Sequence, residues 1–164
     1  ILSGLVGSEM CIRDSLWGNK QETTSTWYGM LLSTGEKLPP VDALARAWTG
    51  KWPANRCPKL ESIEFPLAQK KGKPGTQVSV SAKVVDPNGD PLQWEWTVMA
   101  ESRDLRGGGE AESVPASFPE SIQGGKDREC TLILPKEKGA YRLFLVVRDG
   151  KGGATTGNVP FLVD

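Results

Sequence analysis

The chain has 164 residues, with 20 Lys and Arg balancing 20 Asp and Glu. That is enough for one full domain and part of another, and a zero net charge without a basic face excludes nucleic-acid binding by phosphate neutralisation. Histidine is absent, which removes the commonest general base and metal ligand; no apolar run reaches the roughly 18 to 20 residues of a membrane helix.

In chain order, residues 1–15 come first and show no periodicity, cap or turn logic. Leu5 to Asp14, Leu-Val-Gly-Ser-Glu-Met-Cys-Ile-Arg-Asp, resembles a translated sequencing adapter. A signal peptide is the rival reading, but Glu9, Arg13 and Asp14 interrupt any apolar core. Residues 1–15 are therefore set aside as a scar, and the natural N-terminus is expected to lie in sequence not present here. The cysteines, Cys11, Cys57 and Cys130, are far apart and lack CxxC spacing, which argues against zinc. Cys57 and Cys130 are either a disulfide or buried lone thiols.

Residues 16–58 form the next unit. Leu16-Trp17 and Met30-Leu31-Leu32 are apolar pieces separated by a polar loop. Ser33 to Lys37 is a turn, and Pro39-Pro40 opens a short helix that Gly50 ends. Val41, Leu44, Ala45 and Trp48 share one helical face, and Trp52 to Pro58 is an extended linker. Such a piece cannot enclose a core by itself and is expected to pack on something upstream. Trp17-Gly18, Tyr28-Gly29-Met30-Leu31 and Thr34-Gly35-Glu36-Lys37-Leu38-Pro39-Pro40 resemble the closing strand and helix of a (β/α)8 glycoside hydrolase of the family 2 or family 5 type. Met30-Leu31 replaces that family's usual Leu-Phe, and Leu38 is inserted before the prolines. The resemblance implies that Trp17 stacks on sugar, with Lys20, Gln21 and Glu22 at the rim of the cleft, on the face where barrels keep their chemistry. The bland reading is that Trp17 fills a core and Glu22 is a solvated loop carboxylate. The two catalytic carboxylates that glycoside hydrolysis needs lie, in that family, on earlier strands, so this fragment is expected not to be an enzyme.

Residues 59–164 read as a mainly β unit. Strand runs are expected at about 60–67, 78–84, 92–98, 129–134, 141–148 and 155–163, separated by Gly/Pro turns. Val78, Val80, Ala82 and Val84 share one parity, as do Leu92, Trp94, Trp96 and Val98, the period-two pattern of strands with one buried face. Between them Asp86-Pro-Asn-Gly-Asp-Pro91 is turn chemistry. Residues 101–128 form a long polar segment, either functional or mobile. In the run 141–148, Phe144 and Val146 lie opposite Leu143, Leu145 and Val147. A second apolar face of this kind points to burial against a neighbour, or to ordinary scattered surface apolars. The pattern predicts an immunoglobulin-like Greek-key β-sandwich of about seven strands, preceded by a small α/β remnant of a truncated barrel.

Val85-Asp86-Pro87-Asn88-Gly89-Asp90-Pro91-Leu92-x-Trp94-x-Trp96, Gly139-Ala140-Tyr141 and Val147-Arg148-Asp149-Gly150-Lys151-Gly152-Gly153 resemble the motifs of PKD and cadherin-like modules. Thr97 to Ala100 departs from the Asp-Phe-Gly-Asp-Gly that PKD domains carry after the Trp. The resemblance implies a Tyr141 corner and a loop end that gathers Asp86, Asn88, Asp90 and Asp149, a candidate calcium set; the same residues make ordinary turns elsewhere.

Taken together, the two resemblances imply a non-catalytic C-terminal accessory module of a secreted, periplasmic or cell-surface glycan-degrading enzyme. Its partners would be the upstream catalytic barrel of the same chain and a polysaccharide, with no nucleic acid and no membrane span. Two alternatives stay open: a carbohydrate-binding module using Trp52 or Phe144, and a calcium-stiffened adhesion or spacer repeat.

Overall fold

The computed structural model describes residues 17–21, 23–26, 29–104 and 112–164. The set-aside segment 1–15, Glu22 and the Trp27-Tyr28 pair lie outside these. Among the described residues eight strands are present: β1 (Lys59–Glu64), β2 (Lys71–Gly72), β3 (Gln77–Val85), β4 (Gln93–Ala100), β5 (Ile122–Gln123), β6 (Glu129–Ile133), β7 (Gly139–Arg148) and β8 (Ala154–Val163). They form two four-stranded sheets, β1-β3-β6-β5 and β2-β8-β7-β4, antiparallel except where β2 runs parallel to β8. This is an immunoglobulin-like Greek-key sandwich.

The core follows from parity. Val80, Ala82, Trp96, Val98, Cys130, Leu132, Tyr141, Leu143, Leu145 and Val147 close the space between the sheets, while Val78, Val84, Leu92 and Trp94 pack half-buried at its margin. Trp96 donates its indole N–H to Asp127 O at 2.9 Å, so its polar end is satisfied where the ring is buried. Tyr141 donates its hydroxyl to Glu137 O at 2.9 Å, which makes the expected corner. Its ring stacks on Phe161, which in turn meets Phe65 edge-on.

Three details go beyond the sequence expectation. The first strand stops at Glu64, not near 67, because Phe65 to Gln69 turn the chain from one sheet to the other, with Gln69 at φ 56°. The Asp86 to Pro91 turn likewise carries the chain across the sandwich, since β3 and β4 lie in opposite sheets. The polar segment after β4 lies against that strand where it is described. It returns along β4 through Ala100 N–H to Ala116 O, Phe118 N–H to Val98 O and Trp96 N–H to Gly125 O, and contributes β5.

Helix α1 (Pro39–Thr49) starts on two prolines and ends on Gly50, whose φ of 73° needs a residue without a Cβ. Residues 29–38 lie on the outer face of the second sheet. Leu32, Leu38 and Ala154 form a small buried cluster against Val146. Phe144, on the same face of β7, is buried as well. The second apolar face of this strand is thus covered by the chain's own preceding segment.

Candidate functional site

The residues with the most chemistry converge where the segment before β1 meets the turn between β3 and β4 and the turn between β7 and β8. At its centre is Asp42, in the first turn of α1 and only 4% exposed. Its Oδ2 accepts the Cys57 backbone N–H at 2.6 Å, and its Oδ1 takes the Lys37 ammonium. Lys37 Nζ also donates to Asn55 O at 2.6 Å. The Lys37 backbone bridges to the β7–β8 turn: its N–H reaches Gly152 O, and its carbonyl accepts the Ala154 N–H. A buried carboxylate is costly unless paired and hydrogen-bonded, and here both oxygens are used.

Asp149 is the second hub. Its Oδ1 accepts Lys151 N–H at 2.7 Å and Gly153 N–H at 2.9 Å, and its Oδ2 accepts Asn55 Nδ2 at 2.8 Å. Burial pushes this carboxyl up, but those hydrogen bonds, with the Lys37 charge behind them, outweigh it and leave it below the ordinary Asp range. A Cβ at position 153 would collide with that carboxylate, which is why glycine stands there.

Of the expected calcium set, Asp86 Oδ1 accepts Asn88 N–H at 2.8 Å and Asp90 N–H at 3.0 Å. Asn88 is spent on the segment before β1, accepting Arg56 N–H at 2.9 Å and donating to Ala54 O at 2.9 Å. Asp90 Oδ1 holds Lys151 Nζ at 2.6 Å. The structure therefore brings Asp86, Asn88, Asp90 and Asp149 to one end of the sandwich, with an ammonium among them. Asp86 Oδ2 and Asp90 Oδ2 are the side-chain oxygens there that stay buried without a partner, against the six to eight that calcium takes. Among the described residues no group of three or more His, Cys, Asp or Glu side chains is arranged to hold a metal ion.

The residues expected at a sugar cleft lie elsewhere, towards the outer face of the second sheet. Trp17 is 62% exposed. Lys20 is half-buried and engaged. Gln21 buries both amide atoms without a partner and lines a small cavity with Thr24, Glu101, Arg142 and Phe144. Glu101 in that wall is held by Arg142 Nε at 3.2 Å and 3.1 Å.

Neither Cys57 nor Cys130 forms a disulfide; both are free and buried. Burial, with the Asp42 charge beside it, pushes the Cys57 thiol up to about 12, and burial raises Cys130 to about 11. Both therefore stay protonated at neutral pH and are poor nucleophiles.

The two aromatics considered as sugar platforms are both engaged. Phe144 is buried. The Trp52 ring carries two guanidinium groups, Arg46 at 4.5 Å and Arg56 at 4.1 Å from its centre. Trp48, expected on the packed face of α1, is instead 74% exposed, and Asp42 is the helix's fully buried residue. Sequence reasoning missed Lys37, Asp42, Asn55 and Arg56. The one available signal was Asp42 in the first helical turn behind two prolines, a position where an acid is ordinarily explained by the helix dipole.

No protein-family model and no curated protein matches the chain. Among solved structures, the PKD domain of an M14-like peptidase from a Thermoplasmatales archaeon is similar, at 19% identity and a TM-score of 0.42, over 67% of this chain and 98% of that one. Among the described residues no helix is long and apolar enough to cross a membrane.

Proposed function

We propose that the chain is a non-catalytic accessory module of a secreted glycan-degrading enzyme, joined to a catalytic barrel that precedes it in the same polypeptide. The observation that carries this reading is the fastening of residues 29–58 to the sandwich. A flexible linker would leave its polar groups to water. Here Lys37, Asp42, Asn55, Arg56 and Cys57 all bond across to one another or to the two loops at the sandwich end. A module built this way fixes the direction in which whatever precedes it is presented. On this reading Trp17, which is exposed, meets that neighbour, with Lys20 and Gln21 following it in the chain. The barrel, the glycan and secretion rest on the sequence resemblance in residues 17–44.

The test is the longer reading frame. Its product should release sugar from a polysaccharide and lose that activity when either of two glutamates at barrel strand ends is changed to Gln, while the present chain alone releases none. An upstream frame coding for further sandwiches, or for a peptidase, would refute the glycan assignment.

Calcium at Asp86, Asn88, Asp90 and Asp149 belongs to the same proposal in a secondary place. The two unpartnered oxygens favour it. For the ion to find a shell there, Lys151 has to withdraw from Asp90, and backbone or water has to supply the remaining oxygens.

A further inference from the structure

We infer that the groove beside Trp52 is a binding site for a carboxylate-bearing polysaccharide, with Arg56 and Arg46 as its anion-recognising groups. The groove encloses about 500 Å³ and is lined by Trp52, Arg56, Lys59, Pro58, Pro87 and Thr156 among others. That volume lies in the range of sites for small ligands or single sugar units.

Its charge is one-sided. Asp42 borders the groove, but both its oxygens are already committed to Lys37 and the Cys57 N–H. Neither Arg46 nor Arg56 has a carboxylate partner among the described residues. Arg56 lines the groove, and a guanidinium is matched best by a carboxylate, which it can grip through two parallel bonds. Trp52 works here as a spacer. Arg56, in the lining, and Arg46, outside it, both lie over this ring, at 4.1 Å and 4.5 Å from its centre, and a cation–π contact of this kind limits the side-chain freedom left to be lost on binding. Trp48, exposed at the end of α1, offers a free ring face near the same stretch of chain.

The choice of a polysaccharide over an acidic peptide rests on the glycan reading above; the choice of a carboxylate does not. The experiment is affinity electrophoresis and calorimetry of the chain with polygalacturonate, beside dextran sulfate, a neutral glucan and polyglutamate. Arg46→Gln, Arg56→Gln and the double variant are measured in parallel, with melting temperatures to confirm folding. Arg46 is exposed on the helix, so Arg46→Gln reports even if Arg56→Gln fails to fold. The expected result is retardation by polygalacturonate that weakens at least tenfold in each single variant, disappears in the double, and declines as salt rises. No binding to polygalacturonate, binding untouched by the substitutions, or equal binding to dextran sulfate or polyglutamate would overturn the inference. Binding to the neutral glucan that the variants leave intact would overturn it too, while leaving the accessory-module reading standing.

Discussion

Replacing Asp42 with Ala should detach the segment before β1 while leaving the sandwich folded. The substitution strands the Cys57 N–H, which Asp42 Oδ2 accepts at 2.6 Å inside the protein, and removes the carboxylate partner of Lys37. An orphaned buried N–H costs about 1–3 kcal/mol. Breaking a fully buried ion pair costs about 3–5 kcal/mol. The Lys37 side chain keeps 22% exposure and its bond to Asn55 O, so solvent and that carbonyl recover much of the second cost. About 3 kcal/mol in total is a fair expectation, equivalent to roughly a hundredfold in an opening equilibrium. Because Asp42 bonds Lys37 and Cys57 within the segment and neither sheet, the loss should be local. Amide hydrogen exchange reads this directly. The Cys57 and Ala154 amides, bonded to Asp42 and Lys37, should lose about two decades of protection, while the amides of Val98, Leu143 and Leu145 keep theirs. Unchanged protection at Ala154 would refute the hub. A uniform fall at every amide would show instead that segment and sandwich unfold as one.

Trp96→Ala removes a buried ring and its bond to Asp127 O, at about 3–5 kcal/mol; the variant should be unfolded or nearly so in a denaturant titration, and an unchanged midpoint would contradict the core assignment. The carboxyls of Asp149 and Glu36 are both pushed up by burial yet held lower overall by their hydrogen bonds and by Lys37 and Arg148. Their contribution is therefore complete above an ordinary carboxyl pKa of about 4 and fades as pH falls through the lower folded values. Asp149→Asn should flatten that acid limb of the melting-temperature profile, and a limb of wild-type steepness would count against it. Deleting residues 1–15 should leave the melting temperature unmoved, whereas a loss of several degrees would mean that they belong to the fold. Because Lys151 competes for Asp90, Lys151→Met should show a larger thermal shift with millimolar calcium than the natural chain; equal absence of a shift in both would leave Asp86, Asn88, Asp90 and Asp149 as turn residues alone.

The sandwich was readable because its strands are long, alternate cleanly and are punctuated by Gly and Pro. Val80, Trp96 and Leu145 were placed by parity alone. What escaped was decided by partners distant in sequence. Asp42 reads as an ordinary first-turn acid; only the fold brings Lys37 and Cys57 to it. The apolar stripe Val41, Leu44, Ala45 and Trp48 has good helical spacing, yet periodicity states that a face is apolar and not what covers it, and here Trp48 meets solvent. β5 is two residues long, too short for any pattern. Around Asp86, Asn88, Asp90 and Asp149, the bond from Lys151 to Asp90 and the use of Asn88 by the preceding segment depend on side-chain geometry that spacing does not carry.

The return of the polar segment along β4 bears on how the protein behaves in a crowd. β4 pairs with β7 on one side only, and its other flank would be a row of open hydrogen-bonding groups, a template for another molecule's strand. The bonds from Ala116, Phe118 and Gly125 to that flank occupy it with the chain's own backbone. A long connection that looks like spare length thus shields the sheet against strand-to-strand aggregation. Shortening it would be felt first as self-association at high concentration, with the melting temperature of the isolated molecule little changed.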